Sequence, residues 1–314
     1  MAGNGVMTKA AHAREQWLAE RRTYLGATDI SAILGLNPYD SPREVWLRKM
    51  GLVAEKEATL PMELGTFLEP FIAAQYTKRT GIKSTKAKTV RHPKFPFLAC
   101  NPDRNIKLKH DGHTYKGLLE LKSVGHWASA NFGQDGSDQV PEHYLIQILW
   151  QLIITRADFV QLVALVDNRE LRIFTYTLIP ELSTIAHAFT KEKATQVFND
   201  AIRWWNLHIV EGVEPEMSGH ESDTDRLKSY RSEYDNGFTA NPDEKTDNEC
   251  AKLARSLTRL ERAQLCEAER KNRIKKFMAD ANASVLETRY GAFTWKTDTR
   301  GIASFRHPYK TRKA

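Results

Sequence analysis

The first 80 residues place apolar side chains at the spacing of helices. One short helix is predicted to end at Gly35, and a second is predicted to begin at Pro42. A long helix is predicted over 62–80, where Gly81 ends it. Its spacing assigns six residues to the inward face, namely Leu64, Phe67, Leu68, Phe71, Ile72 and Tyr76.

The middle of the chain changes to the pattern of strands. Residues 84–122 read as strands joined by turns, and the apolar runs of 159–166 and 171–177 flank the turn residues Asp167-Asn168. A helix is predicted from Pro141 to Leu152, and another over 180–210. Helices interleaved with strands in this order predict an α/β core built on a central sheet.

The C-terminal third is more polar. Residues 214–248 are polar, acidic and poor in large apolar side chains, which predicts a linker. Residues 249–281 form a charged helical stretch, and three short apolar runs predict a small sheet. The expected organisation is a flexible leader (1–16), a core domain (17–217), a polar linker (218–248), and a C-terminal helical arm with a small β-sheet (249–314).

Composition narrows the class of protein. The 314 residues are 41% hydrophobic and 27% charged, without an apolar run long enough to span a bilayer. The N-terminal residues lack the apolar core of a secretion signal, and three scattered cysteines suggest reduced thiols, so a cytoplasmic protein is expected. A net charge of +7 mildly favours a polyanionic partner, although a basic protein without a nucleic-acid role fits equally well.

The strongest chemical pattern is Glu120-Leu121-Lys122, which follows Asp103 at hairpin distance. Side chains alternate along a strand, so Glu120 and Lys122 share one face while Leu121 points to the other. A hairpin through 110–112 would bring Asp103 beside Glu120. Two carboxylates and a lysine suit a divalent metal and phosphodiester hydrolysis. A simple ion pair on an exposed sheet face explains the pattern equally well.

Two other segments repeat the order acid, any residue, lysine. They are 243–245 and 269–271, and both lie in polar stretches where a solvated loop or helix face is expected.

Several segments, in this order, resemble the YqaJ and phage lambda exonuclease family, which has the PD-(D/E)XK nuclease fold. The resemblance runs from about residue 17 to 217. It rests on Leu25-Gly26-Ala27-Thr28-Asp29-Ile30, Glu63-Leu64-Gly65-Thr66-Phe67-Leu68-Glu69-Pro70, Cys100-Asn101-Pro102-Asp103, Gly117-Leu118-Leu119-Glu120-Leu121-Lys122 and Val140-Pro141-Glu142-His143-Tyr144-Leu145-Ile146-Gln147, preceded by Arg21-Arg22.

The resemblance assigns roles to ten residues. Metal binding would involve Asp103, Glu120, Glu69 and the backbone carbonyl of Leu121, whereas Lys122 and Gln147 would complete the catalytic set. Four residues would contact DNA or its 5′-phosphate: Arg21, Arg22, Thr28 and Asn101. Asn101 replaces the serine of lambda-type enzymes, and Arg104 replaces a glycine, which makes strict exonuclease behaviour less certain than metal binding.

The resemblance also implies an activity and its partners. It predicts a Mg²⁺-dependent deoxyribonuclease, with Mn²⁺ as a substitute, that resects linear double-stranded DNA 5′→3′. The products would be 3′ single strands for a single-strand-annealing recombinase of a phage or prophage. A homo-oligomeric ring is implied, trimeric in lambda-type members. The alternatives are a structure-specific or nicking endonuclease of the same fold and a non-catalytic DNA-binding or assembly module.

Overall fold

The computed structural model describes residues 18–53, 58–234, 241–297 and 303–307, with the backbone alone for 229–234. The chain divides between residues 234 and 235 into two compact units. The predicted leader, residues 1–16, lies outside the described residues.

The first unit combines one mixed sheet with helices on both of its faces. Its helices include α1 (Ala27–Ile33), α2 (Pro42–Lys49), α3 (Leu60–Thr80), α4 (His126–Ser129), α5 (Glu142–Thr155), α6 (Lys191–Trp204) and α7 (Glu221–Tyr234). Its strands include β1 (Thr85–Lys86), β2 (Val90–Arg91), β3 (Ala99–Cys100), β4 (Arg104–His110), β5 (His113–Val124), β6 (Phe159–Val166), β7 (Glu170–Thr177) and β8 (His187–Ala188).

Six strands form the central sheet in the order β1-β4-β5-β6-β7-β8. Strand β5 pairs antiparallel with β4 and parallel with β6, and β6 pairs antiparallel with β7. The remaining two strands, β2 and β3, form a separate antiparallel ribbon. Because β5 and β6 are parallel, the chain must cross a face of the sheet between them, and α5 lies on that crossover.

Alternate residues of β5 pack against different helices. Leu119 and Leu121 share a core cluster with Ile72 of α3, whereas Leu118 belongs to the cluster that contains Ile148 of α5. The central strand is therefore covered on both faces. This arrangement confirms the predicted α/β fold, a mixed central sheet flanked by helices.

Both predicted hairpin turns are present. Asp111 and Gly112 have φ angles of 48° and 79°, and Asp167 and Asn168 have φ angles of 53° and 54°. Two successive residues with positive φ form the turn whose twist matches that of the flanking strands. Asparagine, aspartate and glycine tolerate this conformation better than other residues do, which explains why the turns were visible in the sequence.

The predicted inward face of α3 is only partly correct. Ile72 and Tyr76 are buried, but Leu64, Phe67 and Phe71 are 47%, 78% and 49% exposed. The prediction assigned all six apolar residues to one inward face. Only the side of the helix that carries Leu68, Ile72 and Tyr76 packs with Leu119 and Leu121 of β5.

Residues 180–210 are not one helix as predicted. A 3₁₀ turn at Pro180–Leu182 is followed by strand β8, which pairs with β7, and only then does α6 begin. Thr190 caps α6, because its side chain accepts a hydrogen bond from the Lys193 backbone N–H. Trp204 and Trp205, at the end of α6 and just after it, are both 9% exposed and belong to a core cluster.

The predicted linker is also wrong over its first half. Helix α7 packs on α2 through polar groups: the Ser41 hydroxyl donates to Asp223 at 2.6 Å, and the Arg226 guanidinium contacts both carboxylate oxygens of Glu44 at 3.0 Å. Asp223 is only 1% exposed. Helical spacing of apolar residues could not reveal this contact, because hydrogen bonds and charge pairs make it.

The second unit consists of a long helix and a small sheet. Helix α8 spans Glu244–Asp280, and β9 (Val285–Thr288), β10 (Gly291–Thr297) and β11 (Ala303–Arg306) form an antiparallel sheet with β10 in the centre. This confirms the predicted arm and sheet, although the helix begins five residues earlier than predicted. None of the described helices is long and apolar enough to cross a membrane.

Candidate active site

The β4-β5 hairpin brings Asp103 next to Glu120. Arg104 pairs with Leu119 in the antiparallel register, so the next residues outward, Asp103 and Glu120, lie side by side. The Asp103 Oδ2 accepts a hydrogen bond of 2.7 Å from the Leu121 backbone N–H. The predicted hairpin therefore joins the two carboxylates.

Glu120 and Lys122 form a buried pair on the α5 face of β5. The Lys122 Nζ donates to Glu120 Oε1 at 2.5 Å, and Glu120 is 7% exposed. The alternative of an ion pair on an exposed sheet face is therefore wrong. The Tyr144 ring covers the ammonium, with its centroid 5.2 Å from Nζ, and this contact adds a favourable cation–π interaction.

Helix α5 contributes two glutamines to the site. Gln147 and Gln151 are four residues apart and therefore lie on one face of the helix. Both are buried, at 5% and 1% exposure. The Gln151 Nε2 donates to Glu120 Oε2 at 2.5 Å. The sequence interpretation identified Gln147 and missed Gln151, although a second glutamine at i+4 within an otherwise apolar helix was a usable signal.

Glu69 approaches the same centre from α3. It is half-buried, and burial raises the pKa of its carboxyl, with a further increase from the charge of Glu120 and an opposing effect from Lys122. Charges on β5 therefore act on a glutamate of the helix that covers the other face of the sheet.

The carboxylates of the site repel one another. Burial first, and then the charge of Glu120, raise the pKa of Asp103 to about 7. Burial opposes the charged form of Lys122, but Glu120 and Asp103 outweigh it and raise the pKa of the lysine. Lys122 is therefore an ammonium at neutral pH, able to donate hydrogen bonds and unable to act as a base.

The site fits a hard divalent cation. Among the described residues, no group of three or more His, Cys, Asp and Glu side chains has the geometry of a metal site. Mg²⁺, however, binds proteins through only one or two carboxylates and keeps several waters. Asp103 and Glu120 supply two such carboxylates, and burial together with the charge of Glu120 raises the pKa of Asp103.

A small cavity of about 70 Å³ adjoins the carboxylates. It brings together candidates from four parts of the sequence, and its lining residues are Arg21, Gly26, Ala27, Thr28, Asn101, Glu120, Gln147 and Gln151. The residues predicted for the 5′-phosphate therefore lie beside Glu120. Arg22 is not in the lining, and its guanidinium instead lies near Gly51.

A buried ion pair supports the Arg21 and Thr28 side of the cavity. Lys49 Nζ donates to Asp29 Oδ2 at 2.7 Å and to the Arg21 backbone carbonyl at 2.8 Å. Asp29 in turn accepts the Gly26 backbone N–H at 2.9 Å. Lys49 thus ties the segment that carries Arg21 to the first turn of α1, which carries Thr28. The sequence interpretation did not identify this pair.

The two competing acid and lysine segments lie at α8, outside this site. Asp243 caps that helix by accepting the Thr246 backbone N–H at 2.7 Å, and Glu269 pairs with Arg273 one turn further along. Their surroundings are exposed, so the predicted solvated helix face is confirmed.

Two sequence comparisons show what this chain is similar to. The profile of the YqaJ-like viral recombinase domain matches residues 16–158. The chain is 28% identical over 227 residues to the uncharacterized protein YqaJ of Bacillus subtilis (strain 168); the match covers 71% of this chain and 65% of that protein, just under two thirds of its length.

Two solved structures are also similar. An alkaline exonuclease (LHK-Exo) from Laribacter hongkongensis has 17% identity and a TM-score of 0.44, covering 70% of this chain and 98% of the other. A phage related exonuclease from Haemophilus somnus has 13% identity and a TM-score of 0.41, covering 60% and 96%. Residues 16–158, slightly less than half of the chain, therefore match the YqaJ-like viral recombinase domain.

Proposed function

We propose that this protein is a divalent-metal-dependent deoxyribonuclease that degrades linear duplex DNA from its 5′ ends. One observation carries the proposal: Glu120, which pairs with Lys122 and lies beside Asp103, lines a small cavity that Arg21 and Thr28 also line. Groups suited to cutting a phosphodiester therefore lie next to groups suited to holding a phosphate.

Each residue of the candidate active site has a proposed role in cleavage. Asp103 and Glu120, with Glu69 and the Leu121 carbonyl, would hold Mg²⁺ or Mn²⁺. A bound divalent metal lowers the pKa of water and offsets charge on the phosphate. Lys122 is held as an ammonium and donates hydrogen bonds to the oxygens that gain charge. Gln151 fixes Glu120, because it donates to the oxygen that Lys122 does not contact.

The cavity supplies the preference for a DNA end. The cavity is small, about 70 Å³. Arg21 offers a guanidinium, which suits phosphate oxygens, and Thr28 offers a hydroxyl. We assign this cavity to a 5′-terminal phosphate, because a phosphate in the middle of a strand carries chain on both sides and needs more room.

The resemblance to the family suggests a wider biological role. Resection in the 5′→3′ direction would leave 3′ single strands for a single-strand-annealing recombinase during phage-type recombination in the bacterial cytoplasm. We further propose that the protein forms a homo-oligomeric ring, trimeric as in lambda-type members. This ring would enclose the duplex and keep the enzyme on it.

The decisive experiment uses linear duplex DNA with 5′-phosphorylated ends. Wild-type protein is expected to release nucleotides with Mg²⁺ and to release none in EDTA. Lys122→Ala is expected to abolish release, whereas Lys109→Ala, which removes an exposed lysine from neighbouring β4, is the matched control and keeps it. Ends that carry a 5′-hydroxyl are expected to be degraded more slowly than phosphorylated ends.

The outcomes separate the alternatives. Cleavage of covalently closed circular DNA would favour the nicking endonuclease. Binding of DNA without cleavage in Mg²⁺ or Mn²⁺ would favour the non-catalytic module and refute the proposed activity.

A further inference from the structure

A second and much larger cavity lies on the first unit, apart from the residues assigned above. Its volume is about 710 Å³. It is bounded by β1, β4, β5 and the C-terminal end of α5, and its lining residues are Lys83, Thr85, Val90, Asn105, Ile106, Lys107, Lys116, Gly117, Leu118, Thr155, Arg156 and Ala157. We refer to it as the basic groove.

All the charged side chains that line the basic groove are positive. Its lining contains four cations, Lys83, Lys107, Lys116 and Arg156, and no carboxylate. All four are exposed, and none is ion-paired with a carboxylate of the part of the chain that the structure describes. The neighbouring Asp158 carboxylate instead accepts the Lys116 backbone N–H at 2.6 Å. Four cations without partners favour an anionic ligand.

A nearby histidine responds to the same positive field. The pKa of His92 is lowered, first by burial and then by the charges of Arg156 and Lys94. His92 directly follows β2, whose Val90 lines the groove. The positive potential therefore extends beyond the four lining cations.

The basic groove lies on the same face of β5 as Glu120, nearer the start of the strand. Alternation places Lys116, Leu118 and Glu120 on one face of β5, at a spacing of about 7 Å between successive members. On the paired strand, Asn105 and Lys107 lie opposite Leu118 and Lys116. Helix α5 also contributes to both places. Gln151 binds Glu120 in the candidate active site, and Thr155, one turn further along the helix, lines the groove.

We propose that the basic groove binds a single DNA strand that runs to or from the cleavage site. The four cations of the lining offer contacts to backbone phosphates, and the apolar side chains of Val90, Leu118 and Ala157 offer contact to sugars and bases. A cavity of this volume is too small for a duplex. The assignment rests on the proposed nuclease function for its direction, but binding itself requires no catalysis.

The test measures binding in EDTA, so that no DNA is cut. Fluorescence anisotropy of a labelled 20-nucleotide strand compares the wild type with the triple variant Lys107→Gln, Lys116→Gln and Arg156→Gln. A matched triple, Lys78→Gln, Lys191→Gln and Lys193→Gln, removes the same charge from exposed residues outside the groove. Equal thermal midpoints establish that all three proteins are folded.

The expected loss follows from counterion release. Each phosphate contact on a single strand contributes about 0.7 to the slope of log affinity against log salt. Losing three contacts lowers that slope by about 2, which corresponds to about a hundredfold weaker binding at 0.1 M salt. The matched triple is expected to keep the slope and to bind within about threefold of wild type.

Each result decides the proposal. Unchanged affinity of the groove triple overturns it, and so does an equal loss in both triples, which would indicate net charge alone. If the groove triple loses binding while the wild type degrades no DNA, the groove is established and the nuclease proposal fails. If the wild type degrades DNA and the groove triple binds normally, the nuclease proposal stands and the groove fails.

Discussion

Replacing Lys49 with methionine tests whether a buried ion pair holds together the phosphate-binding side of the site. The side chains of Lys49 and Asp29 are each 5% exposed, and their atoms are 2.7 Å apart. Methionine keeps most of the apolar stem but removes the ammonium, so the Asp29 carboxylate stays buried without its partner. Removing one member of a buried pair costs about 3 to 5 kcal/mol. Lys49→Met is expected to destabilise the first unit by this amount at neutral pH.

The loss of stability in Lys49→Met is expected to depend on pH. Burial alone would raise the pKa of Asp29, but Lys49 and Arg21 outweigh it and hold this pKa below its ordinary value. A lowered folded pKa stabilises the protein above the pKa of the unfolded chain, about 3.9, and this contribution disappears as pH falls through the folded value. The stability gap between wild type and Lys49→Met is therefore widest near neutrality and narrows toward pH 3.

Urea unfolding followed by tryptophan fluorescence measures the effect. Trp46 lies on the same helix and is 7% exposed, so it reports unfolding of this region. A lower midpoint with an unchanged slope is expected. Asp29→Asn in the Lys49→Met background removes the unpaired charge and is expected to recover part of the stability. The reasoning is refuted if Lys49→Met stays within about 0.5 kcal/mol of wild type, the range of ordinary surface changes, or if the second change recovers nothing.

Three further changes test other parts of the molecule. Gly117→Ala places a Cβ 2.3 Å from the Phe159 ring and is expected to cost about 1 to 3 kcal/mol in thermal unfolding; an unchanged midpoint would contradict it. Gln151→Leu removes the hydrogen bond to Glu120 and is expected to slow DNA cleavage about tenfold or more, with duplex affinity in EDTA as the unaffected control. Phe67→Ser, at a side chain 78% exposed, is expected to change stability by less than about 0.5 kcal/mol; a larger loss in urea would show that the residue is packed.

Local chemistry made the central part of the site predictable. Alternation assigned Glu120 and Lys122 to one face, and turn residues with positive φ located the hairpin that joins β4 to β5. Asp103 then reaches Glu120 because antiparallel pairing fixes which residues are opposite. Each step depends on residues fewer than twenty positions apart, where spacing alone determines the geometry.

Contacts between distant segments were not predictable in the same way. Ser41 and Asp223 are 182 positions apart, and no pattern in either segment identifies the other. Residues 218–234 predict a linker because they are polar and poor in large apolar side chains, yet a buried hydrogen-bonded carboxylate, Asp223, anchors the segment. Polar burial leaves no periodic signal, since its stability depends on one matched partner rather than on a repeated face.

The difference between local spacing and contacts with distant segments also explains the wrong prediction for the inward face of α3. Its 21 residues extend about 31 Å, and both of its sides carry apolar residues. The side that carries Ile72 and Tyr76 is the buried one, because it packs against Leu119 and Leu121 of β5. Glu69 lies on that inner side, three residues before Ile72, and this is why the charges on β5 act on it. The packing that the sequence could not specify is therefore also what brings the third carboxylate to the site.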